Sequence, residues 1–188
     1  MVKTIRPVKE ALGLKAGDKA PLFTATNLHD EPYALADALK NGPVVLIFYR
    51  GQWCPICNMH LKALQDQLPA IYERGATVVA VSPEKSEFLK RTAEKTGAEF
   101  TLLFDEGYKI ADAFDVTFQP GKLLRGVYNT VLRAGLENAH SDDSERLPIP
   151  ATFIINTDGT IVWRHFDPNY IKRSKVEDIL KNLPVKSG

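Results

Sequence analysis

A chain of 188 residues, 44% hydrophobic and 25% charged, has enough apolar material for one domain with a sizeable core. A formal net charge of +1 gives no electrostatic footprint for nucleic acid or an acidic membrane, and no apolar run has the length of a membrane-spanning helix. The first residues, "MVKTIRPVKEALGLKAGDKAP", lack a continuous apolar core and a small-residue cleavage site, and the chain has only two cysteines. The expectation is therefore a cytoplasmic protein with a working dithiol rather than a scaffold of structural disulfides.

In chain order, "IRPVKEALGLKAG" predicts a short helix closed by glycines, and "GDKAPLFTATNLHDEPYAL" predicts loop with short strands. "ADALKNG" predicts one helical turn ended by Gly42. "PVVLIFYR" is apolar and β-branched, which predicts a buried strand. Pro55 to Tyr72 then predicts a single helix, because Leu61, Leu64, Leu68 and Ile71 recur at three- and four-residue spacing and give one buried face. "ATVVAVS" predicts the next strand, and Ser82 is a candidate N-cap for the helix in "PEKSEFLKRTAEKTG", which ends at Gly97. "FTLLFD" predicts a third strand and "GYKIADAFDV" a further helix. "ATFIIN", "TDGT" and "IVWRHF" predict a hairpin turning at Asp158-Gly159, and "SKVEDILKNL" a closing amphipathic helix. Strand and helix alternate first and an antiparallel hairpin comes last, so the predicted fold is a single α/β domain with a mixed central sheet flanked by helices on both faces.

Residues 119–148 stand outside this minimal pattern. Leu124, Val127, Tyr128, Val131 and Leu132 form a helical stripe that predicts an extra helix packed on the core. "ENAHSDDSER" is polar and rich in breakers, which predicts a solvated loop. The same segment is a candidate lid or homodimer surface.

The chemistry centres on "FYRGQWCPICNMHL". A Cys-x-x-Cys pair at the junction of a buried strand and a helix reads as a redox dithiol. Cys54 falls at the helix start, where unpaired N–H groups and the helix dipole favour the reactive thiolate. Cys57, three residues on, shares its helix face and can close a small ring with it. Pro55 suits the first helical position, Gly51 permits a tight turn out of the strand, and Trp53 can cover the pair. A structural zinc site would need about four ligands, and only His60 stands near the pair, so neither metal nor cofactor is expected.

The chain resembles the peroxiredoxins, the alkyl hydroperoxide reductase/thiol-specific antioxidant family of thioredoxin-like fold, through "AGDKAPLFTATNL", "GPVVLIFYRGQWCPICNMHL", "ATVVAVSPE", "FTLLFDEG" and "IPATFIINTDGTIVWRH". The resemblance implies that Cys54 attacks peroxide and Cys57 resolves the product, with thioredoxin or a similar thiol as reductant. The chain departs from the family pattern at three places. Peroxiredoxins carry a proline seven residues before the attacking cysteine, Thr or Ser three before it, and an arginine at the start of the late strand. Here Ile47, Gly51 and Pro150 stand there. Pro150 instead matches thioredoxins, which implies a cis Ile149–Pro150 bond against the dithiol. Arg50 is the candidate replacement cation and Tyr49 a candidate hydroxyl donor, on opposite faces of the strand. Three functions stay open: a peroxidase, a protein disulfide reductase, and a non-catalytic redox-sensing module.

Overall fold

The β-branched runs dictate the centre of the molecule. In a computed structural model of the chain, which describes residues 5–185, the strands are β1 (Thr24–Asn27), β2 (Pro32–Ala34), β3 (Val44–Phe48), β4 (Thr77–Ser82), β5 (Thr101–Phe104), β6 (Thr117–Phe118), β7 (Leu147–Pro148), β8 (Ala151–Ile155) and β9 (Ile161–Phe166). Seven of them form one sheet in the order β2-β1-β5-β4-β3-β8-β9, and β6 pairs with β7 in a small second sheet. β3, β4 and β5 run parallel, whereas β8 is antiparallel to β3 and β9 to β8. The sheet is mixed, as the alternation pattern predicts.

Every residue of β3 is buried, so its two sets of side chains must meet two different layers. Val45 and Ile47 face a core shared with Leu61, Leu64, Leu68 and Ile71. These come from α2 (Pro55–Asp66) and α3 (Leu68–Glu73). Val44, Leu46 and Phe48 face the opposite core with Leu35 and Leu39, and with Ile110 and Phe114. Those residues belong to or adjoin α1 (Leu35–Leu39) and α5 (Lys109–Ala113). The first layer is completed by Leu89 of α4 (Ser86–Thr96) and by Val176 and Ile179 of α8 (Val176–Asn182), which lies beyond α6 (Lys122–Thr130) and α7 (Leu136–Ala139) in the chain. Helices thus flank both faces. No helix among the described residues is long and apolar enough to cross a membrane.

Four local expectations need correction. The segment after Arg6 forms only a 3-10 turn, Val8–Glu10, because Pro7 precedes it and the chain leaves extended at Ala11; residues 1–4 lie outside the described part. The helix expected from Pro55 to Tyr72 is two helices broken at Gln67, and Pro69 lies in the first turn of the second. Ser82 is not the cap of α4, whose N-cap is Lys85; the Ser82 hydroxyl accepts from Glu84 N at 3.3 Å instead. The polar stretch 137–146 is not simply solvated. His140 and Arg146 are buried; the Tyr108 hydroxyl lies 2.7 Å from His140 Nδ1, and Arg146 pairs with Asp112 at 3.1 Å.

Candidate active site

Cys54 is the N-cap of α2 and Pro55 opens the helix. The extended backbone at Cys54 turns its sulfur back over the first turn, where it accepts from Cys57 N at 3.3 Å. Cys54 and Cys57 are joined as a disulfide, with their Cα atoms 5.3 Å apart. The loop that leads into the pair is tied down from below. Glu84 Oε2 accepts from Gln52 N at 2.8 Å, Gln52 O accepts from Asn58 Nδ2 at 2.9 Å, and Lys95 Nζ donates to both oxygens of Gln52. Burial pushes the Glu84 carboxyl up to about 8 against the hydrogen bond from Gln52 N, which lowers it.

Gly51 explains one departure from the family pattern. Its φ is +154°, and a Cβ there would lie 2.5 Å from Glu84 Oε1 and 2.6 Å from Trp53 Nε1. Neither serine nor threonine fits that space without movement of a buried carboxyl or the indole.

Arg50 reaches the thiol. Its Nη2 donates to Cys54 Sγ at 3.3 Å and its Nη1 to the Tyr128 hydroxyl at 3.0 Å. The guanidinium is buried without a carboxylate in ion-pair reach among the described residues. An aromatic cage takes that place: Cζ lies 5.2 Å from the Trp53 ring centroid, 5.3 Å from that of Tyr128 and 5.0 Å from that of Tyr170. Burial lowers the pKa of Arg50, offset in part by Tyr128. Tyr49, one residue earlier, turns away and its hydroxyl bonds Thr92 at 3.4 Å, in keeping with strand alternation.

The second guanidinium was invisible in the sequence. Arg173 lies in the loop between β9 and α8, and its Nη2 is 3.2 Å from Cys57 Sγ and 4.0 Å from Cys54 Sγ. Its Nη1 donates to the carbonyls of Tyr170 and Lys172. Burial lowers its pKa to about 10, with Arg50 adding to the effect, which leaves it charged at neutral pH. The buried Ser174 beside it holds the loop: its Oγ lies 2.8 Å from Thr152 Oγ1 and 3.1 Å from His60 Nε2. His60 is thus an anchor for this loop rather than a free helix-surface residue.

Cys54, Cys57, Trp53, Pro55 and Arg50 are brought together as the sequence predicts. Pro150 is buried immediately before β8, whose Ala151 pairs with Phe48 at the end of β3. The cis bond expected there is a correction: no cis peptide occurs among the described residues, and Ile149–Pro150 is trans. A proline at a strand start is already accommodated, since it has no N–H to place in the ladder. Glu84, just past the end of β4 where functional loops are expected, supports the dithiol loop; Tyr128, Tyr170 and Arg173 are the site residues that sequence reasoning missed. Tyr128 carried a faint signal as part of the stripe on α6, and Arg173 carried none beyond a basic residue in a connection.

A family model for the AhpC/TSA family matches residues 16–164. The chain belongs to that family. Peroxiredoxin Bcp of Escherichia coli strain K12 is 35% identical over 118 residues, covering 61% of this chain and 75% of that protein. Peroxiredoxin Bcp of Bacillus subtilis strain 168 is 33% identical over 103 residues, covering 55% and 65%. The crystal structure of peroxidoxin BcpB from Mycobacterium tuberculosis superposes with a TM-score of 0.69 over 90% of this chain and 96% of its own, at 22% identity, a likeness of fold. As an AhpC/TSA protein with a paired cysteine at a helix start, the chain is a thiol-dependent oxidoreductase of the peroxiredoxin type.

Proposed function

We propose that Cys54 is the peroxide-attacking thiol of a peroxidase and Cys57 its resolving thiol. The observation that carries this reading is Arg50 Nη2 at 3.3 Å from a sulfur that also caps a helix N-terminus. A cation and a helix start both favour thiolate, the form that attacks. The Cys54 thiolate attacks one oxygen of the O–O bond and becomes sulfenic acid, and the other oxygen leaves with a proton as alcohol or water. Cys57 thiolate then attacks the Cys54 sulfur, hydroxide leaves to become water, and the disulfide forms. A dithiol reductant such as thioredoxin restores both thiols. Trp53, Pro55 and Arg50 position and activate Cys54 in this scheme, and the chain works as one cytoplasmic domain, with 119–148 contributing Tyr128 to the Arg50 cage. The disulfide-reductase alternative rested on the absent peroxide-ordering residues and on a cis Pro150; the bond is trans, which removes the second of these two supports.

Trp53 adjoins Cys54 and serves as the probe. Peroxide added to reduced protein should change its fluorescence at a rate proportional to peroxide concentration. Cys54→Ser should abolish the response, while Cys57→Ser should keep the oxidation step and stop at sulfenic acid. Oxidation no faster than that of a small free thiol would overturn the proposal.

A further inference from the structure

The two sulfurs are served unequally by the two cations. Arg50 donates to Cys54 alone, whereas Arg173 lies closer to Cys57 than to Cys54, at 3.2 against 4.0 Å. Cys57 sits in the first turn of α2, and its own N–H is spent on the Cys54 sulfur. Among the described residues, Arg173 is the hydrogen-bond donor to the Cys57 sulfur. The guanidinium is aimed rather than adventitious. Two backbone carbonyls fix its other nitrogen, the next residue is anchored to β8 and α2, and no carboxylate among the described residues lies within ion-pair distance of it.

We propose that Arg173 is a catalytic residue of the recycling half-reaction, stabilising Cys57 as the leaving thiolate when the disulfide is reduced. This rests on the reading that a dithiol recycles the pair. The reductant's thiolate forms a bond to Cys54 Sγ, the Cys54–Cys57 bond breaks, and its electron pair departs on Cys57 Sγ beside Arg173. The reductant's second thiolate then attacks its own sulfur in the mixed disulfide and releases the Cys54 thiolate beside Arg50. The reductant leaves as a disulfide, and two electrons have passed to the protein. A leaving thiol of lower pKa departs faster, and stabilising the reduced form makes the disulfide a stronger oxidant. One guanidinium thus serves the attacking sulfur and the other serves the sulfur that leaves.

The test reads Cys57 directly. In full-length Cys54→Ser protein, ultraviolet absorbance of the thiolate should show Cys57 titrating clearly below the free-thiol value of about 8.5. Adding Arg173→Gln should raise that pKa by about one unit, and Arg173→Lys should restore part of the shift. With both cysteines present, Arg173→Gln should make the disulfide roughly tenfold harder to reduce at equilibrium with dithiothreitol, a change of about 30 mV. A Cys57 pKa at or above about 8.5 in Cys54→Ser overturns the proposal without any change at Arg173. An unchanged potential in folded Arg173→Gln also overturns it. Neither readout involves peroxide, so these shifts without peroxide oxidation would reject the peroxidase reading and leave the role of Arg173 standing.

Discussion

One added carbon at residue 51 would meet two buried polar atoms, Glu84 Oε1 and Trp53 Nε1, neither of which has a hydrogen-bond partner among the described residues. Supplying the hydroxyl that the family pattern places at this position is therefore expected to fail. Gly51→Thr should cost on the order of 2 kcal/mol or more in urea unfolding, and should not accelerate oxidation of Cys54 by peroxide. A threonine variant that is both stable and faster would show that the loop has slack not visible in its packing. The same neighbourhood marks how far single residues were legible. Cys54, Cys57, Pro55, Trp53 and Arg50 fall within eight consecutive positions, and local spacing relates them. Tyr128 reaches Arg50 across 78 positions and Arg173 reaches Cys57 across 116, so no local pattern ties either to the dithiol.

Elements were more legible in their buried faces than in their ends. The stripe Leu61, Leu64, Leu68 and Ile71 is buried throughout, yet it runs unbroken across the boundary between α2 and α3, so periodicity had no means of showing the break. Polar composition likewise reports no partners, which is why the anchored His140 and Arg146 read as solvated. The connection from β9 to α8 is the clearest case, a polar stretch pinned by one serine. Ser174→Ala removes the partner of Thr152 and of His60 together. It is expected to lower unfolding stability by about 1–2 kcal/mol, because buried hydroxyls left unpaired cost more than a hydrogen bond contributes. Urea denaturation of the variant checks this, and an unchanged midpoint would mean that Ser174 does not hold the loop.

At the scale of the molecule, two buried groups set opposite limits on stability with pH. Burial lowers His140 to about 4 from 6.5, so the folded state binds fewer protons than the unfolded chain between those values, and stability is lost as pH falls through them. Burial raises Glu84 to about 8 from 4.5, so the folded state binds more protons, and its contribution is present at low pH and lost as pH rises through about 8. Glu84→Gln should therefore flatten the decline in unfolding midpoint between about pH 4.5 and pH 8. A decline as steep as in the unmodified protein would mean that Glu84 is already ionised in the fold. The global architecture was legible because it depends on strand-helix alternation and strand burial; these buried titrations depend on partners from separate elements.

The seclusion of the dithiol bears on its kinetics. Cys54 and Cys57 are 0% and 1% exposed, under Arg50 and Trp53 at 5% each. A reductant the size of a protein can attack only molecules in which this cover has moved aside, so its apparent affinity is reduced by the uncovered fraction. With rising concentration the recycling rate then saturates at the rate of uncovering, a ceiling shared by every such reductant whatever its own redox potential.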